Sequence, residues 1–128
     1  MIVDSSAVIA MVLAAPGCET LIAKLGATPS AGIGAPTLVE TGLVLTARLR
    51  KDARPVVARL LQEANLVVIP FGEDHWRAAV EAYARFGKGR HSAGLNFGDC
   101  LTYAIAKLAR QPLLCAARDF AKTDLTLA

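Results

Sequence analysis

The chain is 128 residues long, 54% hydrophobic and only 5% aromatic, with a formal net charge of +3 at neutral pH. Such a length makes one domain, taken as residues 1–128, with enough buried surface for a real core, and the apolar share excludes a disordered chain. Mild basicity is compatible with a nucleic-acid partner without pointing to one.

Ile2-Val3 reads as a short buried strand, followed by Asp4, Ser5 and Ser6, all good helix caps. A helix is predicted over Ala7 to Ala14, stopped by Pro16-Gly17, and a second over Cys18 to Leu25, stopped by Gly26. A weak strand falls at Gly32-Ile33-Gly34-Ala35. Pro36-Thr37 then opens a long helix to about Arg50. Its stripe of Leu38, Leu45 and Leu49 is widened by Val39, Leu43 and Val44, a breadth that implies burial on more than one side, one of them a candidate subunit contact. Pro55 starts the next helix, with Val56, Val57, Leu60, Leu61 and Ala64 inward.

Leu66-Val67-Val68-Ile69 is the clearest strand, a continuous apolar run closed by Pro70. Glu73-Asp74 begin a helix whose Trp76, Ala79, Val80 and Tyr83 are expected to point inward. Gly87 to Phe97 is a glycine-bearing loop carrying Lys88, Arg90 and His91. A helix follows from Gly98 to Arg110. Leu113-Leu114-Cys115 is a fourth strand, Asp119-Phe120 a turn, and Leu125-Thr126-Leu127 a final edge strand. Strands that alternate with helices and are continuously apolar imply an α/β domain, an α/β/α sandwich with a central, mainly parallel sheet.

Cys18, Cys100 and Cys115 are far apart and form no C-x-x-C, which reads as reduced thiols in a cytoplasmic protein. The apolar start lacks a basic segment and is interrupted by Asp4, unlike a signal peptide. No apolar run is long enough for a membrane span, so no membrane partner is expected.

Four acids stand where strand-like runs give way to helices or turns: Asp4, Glu40, Asp99 and Asp119. Each has a plain structural explanation. Asp4 can be an N-cap, Glu40 follows Thr37 at capping-box spacing, Asp99 follows Asn96 similarly, and Asp119 can be a turn residue. Jointly they mean more, because strand C-termini and helix N-termini meet at one edge of a parallel sheet, where ligands bind. Two carboxylates about 4 Å apart repel by roughly 4 kcal/mol at an effective dielectric near 20. Such a cluster takes up protons or a cation, and hard oxygen ligands suit Mg²⁺ or Mn²⁺. Ser6 can orient a carboxylate. Lys88, Arg90 and His91 place basic groups shortly before Asn96 and Asp99, as a nuclease needs to hold a polyanion beside its cation. No phosphate-binding loop, dinucleotide fingerprint or hydrolase elbow is present.

Taken together, Ile2-Val-Asp-Ser-Ser-Ala7, Thr37-Leu-Val-Glu-Thr-Gly42, the run from His91 through Leu95-Asn-Phe-Gly-Asp-Cys100 to Ala106, and Asp119-Phe120 with Thr123-Asp124 resemble a PIN-domain ribonuclease of the VapC toxin type over essentially the whole chain. The resemblance implies a Mg²⁺- or Mn²⁺-dependent endoribonuclease, the toxin of a toxin–antitoxin pair. Asp4, Glu40 and Asp99 would be its main metal-binding and catalytic acids and Asp119 the fourth. It also implies a homodimer, a small cognate antitoxin, and a structured RNA substrate such as transfer or ribosomal RNA. One departure stands out: Ala117-Arg118 precede Asp119 where the family usually has Gly-Asn or Gly-Asp, so Arg118 is placed to neutralise a carboxylate. The alternative is a non-catalytic PIN-like module that binds RNA or protein. An aspartyl-phosphate hydrolase would need a second acid where Ser6 stands.

Overall fold

The computed structural model describes residues 1–128. Its four strands are β1 (Ile2–Val3), β2 (Ala31–Gly34), β3 (Leu66–Ile69) and β4 (Leu113–Leu114). Six α-helices alternate with them: α1 (Ser5–Val12), α2 (Cys18–Ala27), α3 (Ala35–Leu49), α4 (Arg54–Glu63), α5 (Glu73–Phe86) and α6 (Phe97–Ala109). The sheet order is β3-β2-β1-β4 and every pairing is parallel. From β1 the chain crosses to β2 and on to β3, then returns to the other side of β1. That reversal makes the carboxyl end of β1 a topological switch point, the place where such sheets bind ligands.

The continuous apolarity of the strands has a direct cause: alternate residues serve two cores. Ile2 and Leu113 pack with Ala79, Ala82, Phe86, Tyr103, Ile105 and Phe120 on the α5–α6 side. Val3, Ile33, Leu66 and Leu114 pack with Ala7, Val8 and Leu25 on the α1–α2 side. Gly34 brings α6 close to the sheet, since a Cβ there would lie 2.8 Å from Cγ1 of Ile105.

Several expectations need correction. Trp76, Val80 and Tyr83 do not point inward; only Ala79 of that set is buried. The first three, with Phe71, Phe97, Cys100 and Leu101, line an open apolar groove. Val67 and Val68 are exposed although their strand is apolar throughout, because β3 lies at the sheet edge. Leu125 to Leu127 forms no strand but a single bridge, Leu113 to Leu127. Helix α3 begins ahead of Pro36 with Gly34 as its N-cap, so Thr37 and Glu40 make no capping box.

Candidate active site

Asp4 leaves β1 at the switch point and caps α1. Its Oδ2 accepts from the Ser6 backbone N–H (3.0 Å) and the Ser6 hydroxyl (2.6 Å), and its Oδ1 accepts from Thr102 Oγ1 (2.8 Å). The residue is 3% exposed, so these donors replace the water it has lost.

Glu40 sits on α3, a turn later than the helix start. Its Oε1 accepts from Ser5 Oγ at 2.6 Å, which ties α3 to the first turn of α1. Its other oxygen lies against Gly98, at the position a Cβ would fill. The first turn of α6 can approach Glu40 only because residue 98 carries no side chain.

Asp99 closes a capping box at the start of α6. Its N–H donates to Asn96 Oδ1 (2.9 Å), and its Oδ2 accepts from the Asn96 N–H (3.0 Å). Asn96 thus holds Asp99 through both of these bonds. Burial raises the pKa of the Asp99 carboxyl; the Asn96 N–H opposes that, and the charges of Asp4, Asp119 and Glu40 raise it further. The other three acids thus lie close enough for their charges to act on Asp99.

Asp119 is exposed and opens a short 3₁₀ turn, Asp119–Lys122. Ser6 pins the segment ahead of it: its Oγ accepts from the N–H groups of Ala116 (3.0 Å) and Ala117 (3.3 Å). One hydroxyl thus links Asp4 to the turn carrying Asp119. Arg118 forms no ion pair with Asp119, and none of the ion pairs in the molecule takes any of the four acids.

As they lie, no three His, Cys, Asp or Glu side chains are gathered into a closed metal-ligand set. The acids share an edge without meeting at a point. That donor set is all oxygen and uncompensated in charge. It suits a hydrated Mg²⁺, which keeps several waters and takes one or two carboxylates directly, better than an all-protein cage. Cys115 lies beside the site; burial, then the charge of Asp4, with Lys24 opposing and Asp99 adding to it, push its thiol up to about 11, which disfavours the thiolate.

The profile of the PIN domain matches residues 1–125. Ribonuclease VapC36 of Mycobacterium tuberculosis is 48% identical over 126 residues, which is 98% of this chain and 91% of that protein. The chain belongs to the PIN-domain family of VapC ribonucleases. Ribonuclease VapC of Mycolicibacterium smegmatis is 35% identical, over 98% of this chain and 97% of its own. Two solved structures share the fold at 19% identity. The crystal structure of VapC20 from Mycobacterium tuberculosis, a sarcin–ricin loop cleaving toxin, aligns with a TM-score of 0.80 over 99% of this chain and 97% of its own. A toxin–antitoxin complex from Klebsiella pneumoniae aligns at 0.72 over 99% and 95%.

In this VapC chain the basic loop leads from α5 straight into Asn96. Lys88, Arg90 and His91 are exposed. The Arg90 guanidinium stands 5.4 Å from the Tyr83 ring centre, a cation–π contact that orients it. His91 is partly structural: its Nδ1 accepts from the Ala93 N–H (3.0 Å) and its ring meets Phe86 edge-on. Sequence reasoning missed Ser5, Thr37 and Thr102. Ser5 looked like one cap among three. Thr102 had a usable signal, as the one aliphatic hydroxyl in an apolar helix one turn beyond Asp99.

Proposed function

We propose that this protein is a Mg²⁺- or Mn²⁺-dependent endoribonuclease, the toxin of a toxin–antitoxin pair, acting as a single domain in the cytoplasm. The observation that carries this reading is that Asp4, Glu40 and Asp99 are tied together at the switch point through Ser5 and Thr102, with Asp119 on the turn pinned by Ser6, and none of the four is paired with a cation of the chain. Ribonuclease names among relatives up to 48% identical support it from a second side.

Asp4, Glu40 and Asp99 would hold the cation, with Asp119 as the outer acid. When bound, the cation neutralises charge on the phosphoryl oxygens and makes water a competent nucleophile. Ser6 holds Asp4 and the segment before Asp119 in one arrangement, Ser5 holds Glu40, and Asn96 holds Asp99. Lys88 and Arg90, with His91 beside them, attract the RNA backbone toward the acids. The substrate is a structured RNA, of transfer or ribosomal type. One solved neighbour cleaves the sarcin–ricin loop and another is a toxin–antitoxin complex, which supports an RNA target and an antitoxin partner for this chain.

A homodimer is part of the reading. Val39 and Leu43 of α3, Trp76 and Val80 of α5, and Phe97, which is 80% exposed, present the apolar side chains that a second copy would cover. The non-catalytic alternative rested on Arg118 neutralising Asp119, and that pair does not form.

The test is to incubate purified protein with total RNA in Mg²⁺, in Mn²⁺ and in EDTA. Discrete cleavage products that vanish with EDTA are expected. Intact RNA throughout, or equal cleavage in EDTA, would refute the metal-dependent reading.

A further inference from the structure

We propose that Thr102, backed by Thr37, is a positioning residue that fixes the Asp4 carboxylate for cation binding; the inference rests on the metal-dependent reading above. Thr102 is 1% exposed and lies on α6, three residues after Asp99. Its Oγ1 is 2.8 Å from Asp4 Oδ1 and 3.1 Å from Thr37 Oγ1. No other side chain donates to that carboxylate oxygen.

Proton counting fixes the direction of this string. A carboxylate only accepts, and a hydroxyl has a single proton to give. Thr102 therefore spends its proton on Asp4, and Thr37 must donate to Thr102. The chain of donation runs from Thr37 to Thr102 to Asp4, through an interior where each bond polarises the next.

The bland account of a buried threonine is that its hydroxyl returns to its own helix. Thr41 does so, donating to the carbonyl of Thr37 at 2.8 Å. Thr102, equally buried, leaves its helix and reaches across to Asp4. The string also joins the elements that carry three acids. Thr37 lies three residues before Glu40 on α3, Thr102 three after Asp99 on α6, and Asp4 ends β1. Gly34 permits the close approach of α6 that this bridge requires. Two hydroxyls thereby hold α3, α6 and the end of β1 in one register, one helical turn behind the acids.

Mn²⁺ affinity, measured from free Mn²⁺ by electron paramagnetic resonance, tests the inference without relying on activity. Partners behind a metal ligand are worth about 10- to 100-fold in affinity. Thr102→Val keeps the shape and removes the hydroxyl, and should bind Mn²⁺ at least about tenfold more weakly than wild type. Thr102→Ser restores the hydroxyl and should recover to within about threefold, a rescue that a purely packing role would not give. Should the valine variant not fold, Thr102→Ala carries the same expectation. Val or Ala binding like wild type, or Ser binding as weakly as Val, overturns the inference alone. A wild-type protein that binds no Mn²⁺ overturns the metal-dependent reading and this inference with it.

Discussion

Replacing Gly98 with alanine should leave the fold standing and disable the site. Its backbone lies outside the left-handed region, so alanine is conformationally acceptable there. In a helix interior alanine is favoured over glycine by about 1 kcal/mol, and by less in a first turn. The added Cβ would lie 3.0 Å from Glu40 Cδ and 3.2 Å from its Oε1, with the other oxygen closer still. Only the flexible end of a half-buried side chain has to yield. Moving the carboxylate out to ordinary contact shifts it by roughly 1 Å and breaks its bond to Ser5. Water at a half-buried site recovers part of that hydrogen bond, so the net stability change stays within about 1 kcal/mol, or about 4 °C in melting temperature. Activity should suffer far more, since a misplacement of about 1 Å can cost on the order of 100-fold. Thermal melting followed by circular dichroism, paired with initial rates of Mg²⁺-dependent RNA cleavage, reads both quantities. A folded variant that cleaves at the wild-type rate would refute the placement of Glu40 in the machinery.

Mn²⁺ should raise the melting temperature of the wild-type protein, by the equivalent of about 2.7 kcal/mol at a hundred times the dissociation constant. Asp99→Asn should lose most of that shift while staying folded, because an amide oxygen can still accept from the Asn96 N–H; an undiminished shift would remove Asp99 from the ligand set. Away from the site, Asp124 accepts from Lys107 Nζ and Tyr103 OH, both at 2.7 Å. Burial pushes its carboxyl up, but these bonds and the charges of Lys107 and Arg85 outweigh it and hold it at about 2, below the ordinary 3.8. Its native value is the lower one, so its stabilising contribution is complete above pH 4 and is lost as pH falls toward 2. Its side chain is a third exposed, so Asp124→Asn should cost only about 1 kcal/mol at pH 7, with the two stability curves converging near pH 2; a gap that persists at pH 2 would contradict this. Leu43→Glu should convert dimers to monomers in light scattering, and an unchanged mass would move the subunit contact elsewhere.

The elements were legible where local chemistry decides them. Leu66 to Ile69 reads as a strand from its apolar run, and Asn96 to Asp99 as a helix start from its capping spacing. Tertiary placement was not. The α5 pattern marks Trp76, Val80 and Tyr83 as apolar but cannot say whether that face meets the sheet or a second subunit. Thr37 looked like a cap because T-x-x-E is a local signal; the approach of Thr102 from 65 residues away gave its hydroxyl another use. Asp4, Asp99 and Asp119 stand out as candidates from their places at a strand end, a helix start and a turn, whereas Glu40 lies a turn inside α3, where no local signal marks it as one. Their supports were not legible, because a hydroxyl that serves another element leaves no local trace.

Diffraction from crystals grown with Mn²⁺, collected to reveal its anomalous signal, tests the central claim most directly. A peak is expected at the carboxyl end of β1, with oxygens of at least one of Asp4, Glu40 and Asp99 at bonding distance, near 2.1 Å, and waters completing the shell. Saturating Mn²⁺ that gives no peak there, or a peak bound only elsewhere, would contradict the account.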